Sequence, residues 1–207
     1  MSKILLINGS PNQRGCTFTA LREIALTLAK EGVESEILWL GKEPIADCIA
    51  CGKCADSCRC VFDDLVNRIA DRLDEFDGIV AGSPVYYAGP SGRICAFLDR
   101  LFYSNGARMA GKLGTAVVSC RRGGSTAAFN RLNMYFMMNN MVVPTSQYWN
   151  QVHGNAPEEV RQDREGLQTL RMLARNMAWL LRCIELGRIA GLRAPVPEPR
   201  DRTNFIR

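Results

Sequence analysis

Short continuous apolar runs alternate with stretches whose apolar residues recur every three or four positions. Ile4 to Ile7 is such a run, broken by Asn8-Gly9-Ser10-Pro11, and it fits a strand buried on both faces. Thr17 to Lys30 carries Leu21, Ile24, Ala25 and Leu28 on one helical face and stops at Gly32. Glu34 to Leu40 reads as a second strand, Phe62 to Leu73 as a helix, and Gly78 to Gly82 as a third strand ended by Ser83-Pro84. Ser91 to Phe102 is predicted helical, Leu113 to Ser119 a fourth strand, 125–138 a helix and Met141 to Pro144 a fifth strand. Leu167 to Ile184 is a long closing helix, and from Gly187 a tail holding Pro195, Pro197 and Pro199 is expected to be extended.

Strands that alternate with helices require right-handed crossovers and a parallel sheet covered on both faces. The expectation is a three-layer α/β/α sandwich whose five-stranded parallel sheet has the flavodoxin-like order 2-1-3-4-5. One domain spans 1–186, residues 41–60 form a cysteine-rich loop insertion, and 187–207 are the tail. Ligands of such sheets bind at the carboxyl ends of the strands, beside strand 1. The loops after strands 1, 3 and 4 are therefore the places to look for chemistry.

The 207 residues are 47% apolar, 23% charged and 8% aromatic, which excludes a disordered, collagen-like or coiled-coil chain. No apolar run nears the ~20 residues of a membrane span, and no signal peptide is visible. A cytoplasmic protein without membrane attachment is expected, its nine cysteines thiols or metal ligands rather than disulfides. The net charge of +5 is unevenly spread: residues 78–157 hold seven basic groups against the single acid Asp99, so an anionic ligand is sought there. Without a Lys/Arg run or a recognition motif, nucleic acid is not an expected partner.

The first loop, Ser10 to Thr17, offers hydroxyls at Ser10 and Thr17, an amide at Asn12, a cation at Arg14 and the N-terminus of a helix, a combination suited to phosphate. It lacks G-x-G-x-x-G, so the dinucleotide fingerprint is missing, and an ordinary turn capped by Ser10 or Thr17 remains open. The second, Ser83 to Pro90, sets Tyr86 and Tyr87 between two prolines, where they can flank a flat ring or pack on the next helix. The third, Ser119-Cys120-Arg121-Arg122-Gly123-Gly124, pairs close backbone approach with positive charge, or is a glycine-rich turn with solvated arginines. Together they describe a mononucleotide with a flat ring, flavin mononucleotide (FMN). Gly106 to Lys112 has Walker A spacing but continues with Leu113 and precedes a strand, so it is read as a loop with Lys112 solvated.

Cys48, Cys51, Cys54, Cys58 and Cys60 place five thiols within thirteen residues. Such spacing suits a 4Fe–4S cluster, zinc on four of the five, or a loop of free cysteines. Cys16, Cys95, Cys120 and Cys183 stand apart and read as small buried residues.

These residues resemble the NAD(P)H-dependent FMN reductase-like flavoproteins of the flavodoxin superfamily, in particular the iron–sulfur flavoprotein branch. The matching pieces are Ile7-Asn-Gly-Ser-Pro11 with Gly15 and Thr17, Cys48-x2-Cys51-x2-Cys54-x5-Cys60, Gly82-Ser-Pro-Val-Tyr86 and Arg122-Gly-Gly124. Tyr148-Trp149-Asn150, Asp163 with Glu165-Gly166, and Asn176-Met177-Ala178 also look like that branch, so the likeness runs from residue 3 to about 186. Cys16 departs from it, since the family's phosphate loop usually has Asn there. The resemblance implies FMN as cofactor, NAD(P)H as co-substrate, a small-molecule or redox-protein electron acceptor, and a homodimer or homotetramer with FMN near a subunit interface. It implies FMN contacts from Ser10, Asn12, Arg14, Gly15, Cys16, Thr17, Pro84, Val85, Tyr86, Tyr87, Ser119, Arg121, Arg122, Gly123 and Gly124. It makes Cys60 the fourth ligand of a cluster on Cys48, Cys51 and Cys54, with Cys58 the alternative; a pure electron carrier between a ferredoxin-like donor and FMN is the rival activity. Hydride transfer to a flavin needs no side-chain acid or base, so no catalytic residue is assigned. His153, the only histidine, is either near the ring or structural, and Tyr148 and Trp149 either shape the pocket or pack on their own domain. Met134, Met137, Met138 and Met141 are read as core or subunit interface.

Overall fold

The computed structural model describes residues 2–196, 198, 199, 201, 203 and 205. In chain order the elements are β1 (Lys3–Asn8), α1 (Cys16–Lys30), β2 (Glu34–Trp39), α2 (Cys54–Ser57), α3 (Leu65–Asp71), β3 (Gly78–Tyr86), β4 (Gly89–Pro90), α4 (Gly92–Asn105), β5 (Leu113–Cys120), α5 (Ser125–Met138), β6 (Gln151–His153), α6 (Pro157–Val160) and α7 (Arg164–Ile189). Five strands pair in parallel in the order β2-β1-β3-β5-β6, which is 2-1-3-4-5 once the short β4, antiparallel to the end of β3, is set aside.

Burial on both faces explains the apolar runs. Along β1 the side chains alternate: Leu5 and Ile7 join the core under α3, α4 and α5, while Ile4 and Leu6 join the core under α1 and α7. All four are fully buried, each contributing roughly 1.5–3 kcal/mol relative to exposure. Close packing also explains a glycine in mid-strand: a Cβ on Gly82 would stand 2.8 Å from Leu21 Cδ1, so α1 approaches the sheet only because that position is bare.

Several boundaries differ from the sequence reading. The fifth strand is Gln151–His153, not Met141–Pro144. Val142 makes only an isolated bridge to Leu113, and Pro144 has no N–H to continue a ladder. Asn150 then returns the chain to the sheet: its Nδ2 donates to Thr115 Oγ1 (3.1 Å) and the Ala116 carbonyl (3.2 Å), and its own carbonyl accepts from Val118 N–H. β3 does not stop at Ser83-Pro84, because Ser83 and Pro84 stay in register with Val118 and Ser119 of β5. The helix expected over Phe62 to Leu73 is shorter, beginning at Leu65 after Asp64, whose carboxylate accepts from Val66 N–H. α7 runs past Gly187 to Ile189; one glycine inside a long helix costs about 1 kcal/mol, and the Glu185–Arg188 pair braces that last turn. Pro195 and Pro199 lie outside regular structure, while Pro197 falls outside the described residues. Lys112 is not solvated: Nζ donates to the carbonyls of Leu73 (2.6 Å) and Phe76 (2.7 Å), and burial pulls its pKa down. Among the described residues no helix is long and apolar enough to cross a membrane.

Candidate functional site

The loop after β1 is wound on its own side chains. Asn8 Oδ1 accepts from Ser10 N–H (3.1 Å), Ser10 Oγ accepts from Asn12 N–H (3.1 Å), and Asn8 Nδ2 donates to the Gln13 carbonyl (3.1 Å). α1 begins at Cys16 with Gly15 as its N-cap, so neither Ser10 nor Thr17 caps it, and no side chain covers the amides of its first turn. That leaves N–H donors and the positive end of the helix dipole beside the exposed Arg14. Cys16, where the resembled family's pattern has Asn, points its thiol at the Gly154 carbonyl (3.7 Å), and burial raises its pKa.

Hydrogen bonds draw the three loops together. Gly9 N–H donates to the Gly82 carbonyl (2.8 Å), and Ser91, the N-cap of α4, donates from Oγ to the Gly9 carbonyl (2.8 Å). Thr17 Oγ1 lies 2.9 Å from Ser119 Oγ. At Gly124 (φ +87°) a Cβ would stand 2.8 Å from Ala88 Cα, so the second and third loops touch backbone to backbone there. The site thus joins Ser10, Gly15, Cys16, Thr17, Ser83–Ala88 and Ser119–Gly124 at the carboxyl end of the sheet.

Between β3 and β4 the chain reverses in two residues, Tyr87 (φ +48°) and Ala88 (φ +60°). Two consecutive positive-φ residues are what a two-residue type I′ hairpin demands, normally of Asn-Gly. A Tyr-Ala pair there holds strain of order 1–3 kcal/mol per residue. Tyr87 stands wholly in solvent, so it does not pack on the following helix, and Tyr86 is half exposed. Arg14, Arg121 and Arg122 are exposed and enter no ion pair among the described residues. Each has its charge free for a ligand.

His153 ends β6. Its N–H donates to Asp163 Oδ2 (2.7 Å) and its Nδ1 is 3.7 Å from the same oxygen, while Asp163 Oδ1 accepts from Gly166 N–H (2.9 Å) at the start of α7. Tyr148 and Trp149 lead into β6 rather than following the sheet's last strand, and their rings meet edge to face at 4.5 Å. They line a cleft with His153 and Gln151, whose buried Oε1 has no hydrogen-bond partner.

The cysteine loop leaves β2 beside the first loop, where Trp39 Nε1 donates to the Ser10 carbonyl (2.8 Å). Cys48, Cys51, Cys54 and Cys60 line one pocket with Val61, Phe62, Arg100 and Tyr103, and Cys58 does not line it. All nine cysteines are free thiols, and Cys54 has its pKa raised by burial and by the charges of Cys48, Cys51 and Cys60. Among the described residues no three His, Cys, Asp or Glu side chains stand close enough together to hold a single metal ion. The thiols surround a space instead of meeting at a point. Four thiols lining one mostly apolar pocket are the kind of donors that a 4Fe–4S cluster would need.

Sequence reasoning missed the residues that hold these loops: Asn8, Trp39, Ser91, Asn67 and Arg100. Asn8 carried a legible signal, an Asn opening a tight turn. Arg100 carried another, a charge on the apolar side of α4 three residues after Phe97.

A family model described as NADPH-dependent FMN reductase matches residues 2–155. An iron–sulfur flavoprotein of Methanocaldococcus jannaschii is 32% identical over 191 residues, covering 88% of this chain and 99% of that protein. An iron–sulfur flavoprotein of Methanosarcina thermophila is 30% identical, covering 90% of this chain and 98% of that one. Among solved structures, RosB with a bound 8-demethyl-8-formylriboflavin 5′-phosphate intermediate superposes with TM-score 0.70 at 15% identity, covering 100% of this chain and 96% of RosB. An NADH:FMN oxidoreductase in its apo form superposes with TM-score 0.63 at 17% identity, covering 87% of this chain and 90% of that one. At these identities the structures speak for the fold.

Proposed function

Since this chain belongs to the NADPH-dependent FMN reductase family of flavodoxin-like, FMN-binding redox proteins, we propose that it is an oxidoreductase that moves electrons between bound FMN and a 4Fe–4S cluster on Cys48, Cys51, Cys54 and Cys60. The observation that carries this reading is the one pocket those four cysteines line, on the loop that leaves β2 where Trp39 Nε1 donates to the Ser10 carbonyl.

The phosphate is held by the uncapped amides of α1, by Ser10, Asn12 and Thr17, and by the charge of Arg14. Pro84, Val85, Tyr86 and Tyr87 flank the ring. The Ser119–Gly124 loop meets its polar edge, with Gly123 and Gly124 admitting close approach and Arg121 and Arg122 holding negative charge there. FMN supplies hydride and single-electron chemistry and the cluster supplies single-electron storage, so this chain's task is binding, orientation and electrostatics. NAD(P)H as the reductant follows the description of the matching family model, NADPH-dependent FMN reductase. A small molecule or a redox protein accepts the electrons. Exposed Met134, Met137 and Met138 on α5 fit an interface in a homodimer or homotetramer.

The test is an anaerobic visible spectrum of freshly purified protein, with iron and flavin assays on the same sample. Flavin bands over a broad iron–sulfur absorbance, with about four irons per chain, are expected. Flavin without iron would leave a simple FMN reductase, and no flavin after FMN is added would end the reading altogether.

A further inference from the structure

Arg100 is the only cation among the largest fully buried side chains. A buried guanidinium is costly unless each of its five N–H groups finds an acceptor. All five do. Nη1 donates to Asp64 Oδ2 (2.6 Å) and the Ala46 carbonyl (3.2 Å), and Nη2 to Asp64 Oδ1 (2.9 Å) and the Phe62 carbonyl (3.2 Å). The remaining donor, Nε–H, goes to Cys60 Sγ at 3.1 Å. The Phe62 ring covers the guanidinium, 4.9 Å from its centroid.

A neutral thiol is a weak acceptor. An anionic sulfur accepts a charge-assisted hydrogen bond well. Cys60 is also clamped through its backbone: Asn67 Oδ1 accepts from Cys60 N–H (2.8 Å), and Asn67 Nδ2 donates to the Cys60 carbonyl (2.9 Å). Asn67 is itself buried in α3, whereas Cys48, Cys51 and Cys58 are exposed. One thiol of the five is thus fixed, by both backbone and sulfur, to the core helices α3 and α4.

We propose that Arg100 is a positioning residue that fixes Cys60 as a sulfur ligand and, through Nε–H···Sγ, raises the reduction potential of the cluster the pocket would hold. This rests on the iron–sulfur part of the proposed function. One-electron reduction adds negative charge to the cluster and its sulfurs. A donor aimed at one of those sulfurs stabilises the reduced form more than the oxidised form, which moves the potential upward.

The experiment is an anaerobic redox titration of the holoprotein, following the reduced cluster by electron paramagnetic resonance and the flavin by absorbance. It compares wild type with R100K and with the double variant R100M/D64N. The double variant removes the buried charges together, leaving none unpaired, and the amide oxygen that D64N introduces keeps an acceptor for the α3 cap. The expected result is a cluster midpoint more negative than wild type in whichever variants fold, with iron and FMN content retained and the FMN midpoint unmoved. A purely structural role would move both midpoints or release iron and flavin together. A cluster midpoint equal to wild type in a folded, iron-loaded variant overturns the proposal. Wild type that contains FMN but no iron overturns the cluster reading, a result distinguishable because it needs no variant.

Discussion

Gly124 and Ala88 face each other across the site with opposite demands. Gly124 needs its bareness twice, for a φ of +87° and for the 2.8 Å approach to Ala88 Cα. G124A should therefore destabilise the protein by about 1–3 kcal/mol and weaken FMN binding at least tenfold, read by thermal melting and by flavin-fluorescence titration. Ala88 sits in the left-handed region with a Cβ it does not need there. A88G should raise stability by about 1 kcal/mol; a drop in Tm would show that the hairpin is held by contacts that outweigh the strain. The strained pair also explains why the hairpin was invisible in the sequence. The signal for such a turn is Asn-Gly, and Tyr87-Ala88 gives no hint of it.

Among the elements, α7 shows how much hangs on one carboxylate. Asp163 caps α7 through Gly166 N–H and holds β6 through His153 N–H, so it joins the last helix to the last strand. D163A should cost about 2 kcal/mol, roughly 4–8 °C in Tm, with loss of protection at the β6 amides in hydrogen exchange. An unchanged Tm would mean that water takes over both bonds. Central elements were the most legible. β1 from Ile4 onward and the whole of β5 are buried runs, and their sequence patterns say so; the α5 bounds agree at 125–138. The edge of the sheet was not legible. A three-residue strand such as Gln151–His153 has too few residues to show a period, and Asn150, not apolar patterning, sets where it pairs. In the site, the residues that offer groups outward were readable as motifs. Of the residues that brace them, Asn8 acts within its own turn, whereas Trp39 and Arg100 act over long sequence separations that no local pattern encodes.

For the whole molecule, two linkages are open to measurement. At the outer edge, Arg72 and Lys3 hold the carboxylates of Glu36 and Glu75 below the usual range, Glu75 to about 2. A depressed carboxylate stabilises the fold above its unfolded pKa, near 4.5, and loses that contribution as pH falls toward about 2. The Tm difference between wild type and E75Q should be present at neutral pH, narrow below about pH 4.5 and close near pH 2; a gap that is constant with pH would remove the electrostatic account. The groups are partly exposed, so added salt should shrink the gap as well. The second linkage is ligand binding. FMN at about 100 times its Kd should add roughly 2.7 kcal/mol, and riboflavin at the same concentration much less, because it leaves the amides of α1 and Arg14 without their anion. Equal shifts for the two would detach the phosphate from the first loop.

The buried arginine also bears on inheritance. Of its five acceptors, two are the carboxylate oxygens of Asp64, the cap of α3, and three belong to the excursion that precedes this cap: the Ala46 carbonyl, Cys60 Sγ and the Phe62 carbonyl. A descendant that deletes this excursion keeps only Asp64 as a partner and leaves three buried N–H groups of the guanidinium without acceptors. Cysteine loop and arginine are therefore bound to be gained and lost together. Lineages of this fold that lack the four thiols should carry an uncharged residue at position 100, even though that position lies in a helix forty residues farther along the chain.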